Sequence, residues 1–220
     1  MMAQGTESGA SPKIGRHARL LQLIDIAGTF VLAVQGASIG ALRGLDALGV
    51  IVVSLVTAMG GGIARDILLG ETPPEALRGW SLVTTALIGA LLTFFAFNAV
   101  EELPETLLTV VDALGLALLA VSGTEKALEY KLTPIAAVMM GAISGAGGYT
   151  FRDILLAEVP AVLRVDFLAT AAIIGSAVLV VARRMRLGAS ASALMGGAAC
   201  FVLRLVAVWQ HWHLPTANVH

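Results

Sequence analysis

The sequence predicts an all-α membrane protein: seven transmembrane helices arranged as two inverted three-helix repeats plus a seventh helix. Three observations carry that expectation. Of 220 residues, 57% are hydrophobic and 13% are charged, with a mean hydropathy of +0.87, whereas soluble domains carry roughly a quarter charged residues. Stretches near the ~20 apolar residues that cross a hydrocarbon core recur seven times between short polar separators. A shift of 87 positions superposes Asp25–Pro73 on Asp112–Pro160 without a gap, with 16 of 49 positions identical.

The spans are expected near Leu20–Leu42, Ala47–Gly70, Trp80–Asn98, Leu107–Leu128, Pro134–Leu156, Val165–Ala182 and Leu187–Trp209. Their separators include Arg43-Gly44-Leu45-Asp46, the stretch from Glu71 to Gly79 with Pro73-Pro74, the acidic Glu101-Glu102-Leu103-Pro104-Glu105, and Arg183-Arg184-Met185-Arg186. In lipid each span must close its own backbone hydrogen bonds, so helices are expected. The short alternating segments of a β-barrel are absent from the sequence. Residues 1–19 read as a disordered polar tail, 20–210 as one transmembrane domain and 211–220 as a second tail. Within the domain, repeat one covers about 20–98, repeat two about 107–182 and the seventh helix about 187–209. The first apolar run is too long for the core of a cleaved signal.

Lys13, Arg16, Arg19, Arg78, Lys126, Lys131, Arg183, Arg184 and Arg186 fall on the side of the N-terminus, and Arg43 and Arg164 on the other. Positive charge marks the cytoplasmic side, so the loop count places the N-terminus in the cytoplasm. Trp80, Trp209 and Trp212 suit the two interfacial belts.

Several functions are excluded. A net charge of −1 points to no nucleic acid partner. Cys200 is the single cysteine, which rules out a CxxC metal or redox site. His17, His211, His213 and His220 all lie in the tails, so no histidine metal centre is expected, and His211 and His213 read as solvated. Neither glycine run fits GxGxxG or a Walker pattern. With no nucleophile and base set at membrane depth, an enzyme is not expected.

The repeat matches concentrate on glycines and charges. Gly28/Gly115, Gly36/Gly123 and Gly60-Gly61/Gly147-Gly148 coincide, as do Arg65-Asp66-Ile67-Leu68-Leu69 and Arg152-Asp153-Ile154-Leu155-Leu156, then Glu71/Glu158 and Pro73/Pro160. Three spans per repeat invert the second copy, an architecture that places a pathway at the repeat interface. Two readings of the glycine runs Gly60-Gly61-Gly62 and Gly147-Gly148 stand. One is close helix packing, as expected for Gly36/Gly40 and Gly141/Gly145. The other is a broken helix whose freed backbone groups line a wet path.

Charges inside a span cost a few kcal/mol each and pair or line a polar cavity. Arg65 and Asp66 are neighbours, about 100° apart on a helix, and are not expected to face each other. Asp25 and Arg65 lie at similar depth, each five residues or roughly 7 Å from one face, and Asp112 and Arg152 repeat this at the other. The expected pairs are therefore Asp25–Arg65 and Asp112–Arg152, leaving Asp66 and Asp153 free to face a pathway. Glu125, Lys126 and Asp166 read as interfacial, and Arg204 as snorkelling from the seventh span.

Asp25-Ile26-Ala27-Gly28-Thr29-Phe30 and Gly60-Gly61-Gly62-Ile63-Ala64-Arg65-Asp66, with the degenerate copy from Asp112 to Asp153, resemble bacterial and archaeal members of the trimeric intracellular cation channel family. The likeness covers nearly the whole chain after residue 20. It implies a homotrimer in the inner (plasma) membrane with a potassium-permeable pore in each subunit. It also implies kinked second and fifth helices shaping that pore at Gly60, Gly61, Gly62, Gly147 and Gly148; the residues themselves suggest Arg65, Asp66, Arg152 and Asp153 as its charges and Asp25 and Asp112 as their supports. Tyr149 stands opposite Gly62, so the two kinks need not be equivalent. No cofactor is implied; the permeant ion is K+ or another monovalent cation, and bilayer lipid is the other bound species. Some bacterial relatives are labelled glycine transporters, which makes a secondary transporter of a small solute such as glycine the alternative.

Overall fold

The computed structural model describes residues 16–97, 104–163 and 167–210. The tails at 1–15 and 211–220, Glu101-Glu102, Arg164 and Asp166 lie outside the described residues. Those described form eight α-helices: α1 Arg16–Leu42, α2 Ala47–Leu68, α3 Glu75–Arg78, α4 Trp80–Phe95, α5 Glu105–Glu129, α6 Pro134–Leu155, α7 Leu168–Arg184 and α8 Ala189–Trp209, with a 3₁₀ turn at Ala161–Leu163. The first helix begins at Arg16, inside the expected tail. The short α3 and the 3₁₀ turn sit in the separators that follow Pro73-Pro74 and Pro160.

Among the described residues, four helices are long and apolar enough to cross a membrane, within Arg19–Leu42, Ala47–Leu68, Thr106–Glu129 and Ala189–Trp209. The other expected spans fall short for separate reasons. α4 and α7 have 16 and 17 residues, about 25 Å of helix against a core of ~30 Å. α6 is long enough at 22 residues, but its glycines and Arg152-Asp153 dilute its hydropathy.

α1, α2 and α4 pack on one another, as do α5, α6 and α7. The two groups meet where α2 packs on α6 and α1 on α5, and α8 lies against α5 and α7. The buried core is built from small and aliphatic side chains, among them Leu32, Ala58, Leu116, Leu119, Ala146 and Ala172, around Tyr149. Large apolar side chains point outward instead, with Trp80, Phe95 and Trp209 about four-fifths exposed, as a lipid-facing surface requires.

Local structure recurs at the 87-residue offset. The bounds of α2 and α6 match at both ends. Asp46 caps α2 by accepting from the Gly49 amide at 2.8 Å, and Thr133 caps α6 by accepting from the Ala136 amide at 3.4 Å, each satisfying an otherwise orphaned donor. Both helices end in a left-handed residue, Gly70 at φ 77° and Ala157 at φ 56°. Gly44 and Lys131 do the same after α1 and α5, at φ 71° and 56°. Glycine adopts this conformation without a Cβ penalty; Lys131 and Ala157 carry that penalty.

Candidate functional site

The site is built where α2 crosses α6. Both helices run unbroken through their glycines, which fits the close-packing reading rather than a break with freed carbonyls. The glycines act by proximity instead. A Cβ on Gly61 would collide with the Ser144 carbonyl, one on Gly148 with the Thr57 carbonyl, and one on Gly147 would lie 3.0 Å from the Gly61 Cα. Positions 57 and 144, like 61 and 148, are 87 apart, so each helix presents the same surface to the other. Small residues permit this backbone approach, which offsets the ~1 kcal/mol that a helical glycine costs. Gly60 faces the Phe151 ring, and Gly62 has open space beside it.

The approach brings the last turn of α2 against α5 and α6. Arg65 and Asp66 are buried, and neighbours though they are, Arg65 Nε donates to Asp66 Oδ1 at 2.8 Å. Three flexible methylenes let the guanidinium fold back onto the adjacent carboxylate, which Cβ directions alone did not suggest. Arg65 Nη1 reaches Ser122 and Ser144 at 3.3 and 3.4 Å and Asp25 at 3.9 Å. The Asp25–Arg65 pair is therefore present at the outer edge of ion-pair distance. Asp66 is not free: Oδ1 also accepts from Lys126 Nζ at 2.9 Å, and Oδ2 from the Glu75 amide at 3.0 Å. A carboxylate at a helix C-terminus opposes the macrodipole, and these donors compensate it. Lys126, expected at the interface, projects inward to three carboxylates, with Glu71 at 2.7 Å and Glu75 at 2.9 Å besides Asp66. A cavity of about 20 Å³ lies beside Asp25, Thr29, Gly62, Arg65 and Asp66, room for about one water.

The second cluster, at the end of α6, repeats the first with changes. Arg152 Nε and Nη2 donate to Asp153 Oδ1 at 2.9 and 2.7 Å, and Asp153 Oδ2 accepts from the Ala161 amide at 2.8 Å. Asp153, too, is held rather than free. The expected direct pair between Asp112 and Arg152 is replaced by a bridge: Arg152 Nη1 donates to Gln35 Oε1 at 3.0 Å, and Gln35 Nε2 donates to Asp112 Oδ1 at 2.7 Å. Gln35 lies 87 positions from Ser122, so each arginine donates to the same position of the other half. The longer amide spans a gap that a serine hydroxyl cannot. Arg204 Nη2 lies 3.3 Å from Asp112 Oδ2; it pairs inward and does not snorkel. Arg152 also stacks over Tyr149, 5.4 Å from the ring centroid.

Outside the clusters the exchange continues. Arg43 pairs with Glu158, and at the equivalent positions Tyr130 bonds Glu71; burial and the Glu71 charge push its phenol above the ordinary range. Glu125, also expected at the interface, is fully buried and lies 3.2 Å from Arg183. Ten residues of α1, about 15 Å, separate Asp25 from Gln35, and buried Leu32, Leu116 and Leu119 occupy this stretch of α1 and α5. Among the described residues no group of His, Cys, Asp and Glu could hold a metal.

Gln35, Ser122, Lys126, Glu75 and Arg204 were not foreseen as site residues. A polar Gln35 in the middle of an apolar span was the available signal, because an unpaired amide there is costly. Lys126 and Arg204 lie near helix ends, where sequence alone cannot tell inward from outward.

The glycine-transporter family model matches the chain in two segments, 22–98 and 109–184, whose starts are 87 residues apart (109 − 22). The UPF0126 inner membrane protein YadS of Escherichia coli strain K12 is 35% identical over 90% of this chain and 96% of its own. A solved TRIC cation channel superposes at a TM-score of 0.85 with 34% identity, covering 90% of this chain and 98% of its own. The TRIC trimeric intracellular cation channel orthologue from Rhodobacter sphaeroides superposes at 0.81 with 33% identity, covering 87% and 98%.

Proposed function

The chain belongs to the trimeric intracellular cation channel family, and from that membership we propose a passive, potassium-permeable channel with a path inside each subunit. It is a multi-pass membrane protein, and the proposed setting is a homotrimer in the inner membrane with the N-terminus cytoplasmic. In this reading the halves are inverted relative to each other, and the path runs between α1, α2, α5 and α6. The observation that supports it most is the pair of buried Arg-Asp clusters, each completed by side chains of the opposite half. Buried charge at this depth is expensive, and a polar path that uses it would offset that cost.

The chemistry suits weak, multiple cation sites. Asp66 and Asp153 offset the arginines beside them, so the path does not repel cations, and Asp25 borders the small cavity. Conduction needs sites that bind weakly enough to release the ion. The layer of Leu32, Leu116 and Leu119 acts as a hydrophobic gate that is closed in this conformation and opens by wetting.

The family model's description as a glycine transporter favours a second reading, secondary transport of a small solute such as glycine. Proteoliposomes separate the two. A channel admits thallium or potassium down its gradient with no second solute and takes up no glycine. Saturable glycine uptake that needs a proton or sodium gradient, without thallium entry, would establish the transporter instead.

A further inference from the structure

The two clusters share a plan but not a charge balance. Asp25 bonds Ser122, has its nearest cation, Arg65, at 3.9 Å and borders a cavity. Its counterpart Asp112 has both oxygens occupied, Oδ1 by Gln35 at 2.7 Å and Oδ2 by Arg204 at 3.3 Å. Arg204 comes from α8, which stands outside the repeat and packs on α5 and α7. Among the described residues, Asp25 has only Arg65 within ion-pair distance. Arg204 is mostly buried.

We propose that Arg204 is a tethered counter-cation: its guanidinium takes beside Asp112 the place that a permeant monovalent cation takes beside Asp25. The second half of the path is thus filled by the protein itself, and a cation passes Asp112 only when Arg204 swings aside. The eighth helix sets the rate of permeation through that half. This rests on the channel reading for its consequence, though not for the site.

The test uses the full-length protein in detergent and in planar bilayers. Arg204→Gln vacates the position while Gln35 still orients Asp112. Its melting temperature should rise by about 3 °C more in KCl than in N-methylglucamine chloride of equal ionic strength. Wild type should show a smaller rise, from a cation beside Asp25, and Arg204→Gln/Asp112→Asn no more than wild type. In bilayers Arg204→Gln should pass about fivefold more potassium current, the equivalent of ~1 kcal/mol for one unit charge at contact in a watery path. Arg204→Lys should fall between the two. Asp112→Asn alone, which strands Arg204, should lower the current by a similar factor and serves if Arg204→Gln fails to fold. A potassium response in Arg204→Gln no larger than in wild type, or an excess over wild type retained in the double variant, overturns the proposal, as does a current that Asp112→Asn leaves intact. A potassium site in Arg204→Gln with no current from any variant upholds the counter-cation and refutes the channel reading.

Discussion

Alanine at Gly148 and alanine at Gly62 are the same chemical change on two helices of one crossing, and the structure predicts opposite signs. At Gly148 the new methyl would lie 3.1 Å from the Thr57 carbonyl carbon and closer still to its oxygen. Both are backbone atoms of α2 and cannot rotate away, so the helices must part. Overpacking of this kind costs about 1–3 kcal/mol, and separation also loosens the mirrored contact of Gly61 with the Ser144 carbonyl. The helix-propensity gain of alanine over glycine, about 1 kcal/mol, recovers part of the loss, leaving a net cost of up to ~2 kcal/mol. At Gly62 the nearest atom is Arg65 Nη2 at 3.8 Å, ordinary contact with a movable group, so the propensity gain survives. For a chain of this length ~1 kcal/mol shifts the melting temperature by about 2–4 °C. Gly148→Ala should therefore melt below wild type, by up to about 8 °C, and Gly62→Ala about 2–4 °C above it, read by fluorescence-detected size exclusion after heating. If both variants shift the same way, the crossing is not set by backbone contact at Gly148.

Three further outcomes follow from the clusters and caps. Asp66→Asn removes the charge that compensates Arg65 and Lys126 in a buried site, and should lose ~3–5 kcal/mol, seen as a collapse of monodisperse protein in detergent. Gln35→Leu keeps the volume but strands Asp112 Oδ1 and Arg152 Nη1, costing about 1–3 kcal/mol. Gln35→Glu keeps the Arg152 bond but sets a second carboxylate against Asp112, so it should melt lower at neutral pH than at acidic pH, a difference that Gln35→Leu should not show. Ala157→Gly relieves a left-handed backbone that its counterpart Gly70 already occupies without cost, and should stabilise by ~0.5–1 kcal/mol after the larger unfolded-state entropy of glycine is subtracted.

The framework was legible because membrane insertion leaves few options. The Arg65-Asp66 and Arg152-Asp153 runs fixed the repeat, and the repeat fixed which helix ends match, down to caps at Asp46 and Thr133. Side-chain direction was less legible. Depth arithmetic put Asp25 with Arg65 and Asp112 with Arg152, yet depth does not say which helix face meets which. The identities at 35 and 122 differ, and Gln35 is long enough to intervene where Ser122 is not. Arg204 could not be placed by symmetry at all, because α8 has no counterpart in the repeat. The glycine runs show why composition alone misleads: an unbroken helix that needs a bare surface and a helix that needs a break ask for the same residue.

Permeation through the subunit is tested most directly by the reversal potential of purified protein in a planar bilayer under a KCl gradient. The account predicts discrete currents that reverse close to the potassium equilibrium potential and persist when every other solute is removed. A silent bilayer, or currents reversing at the chloride potential, would contradict it.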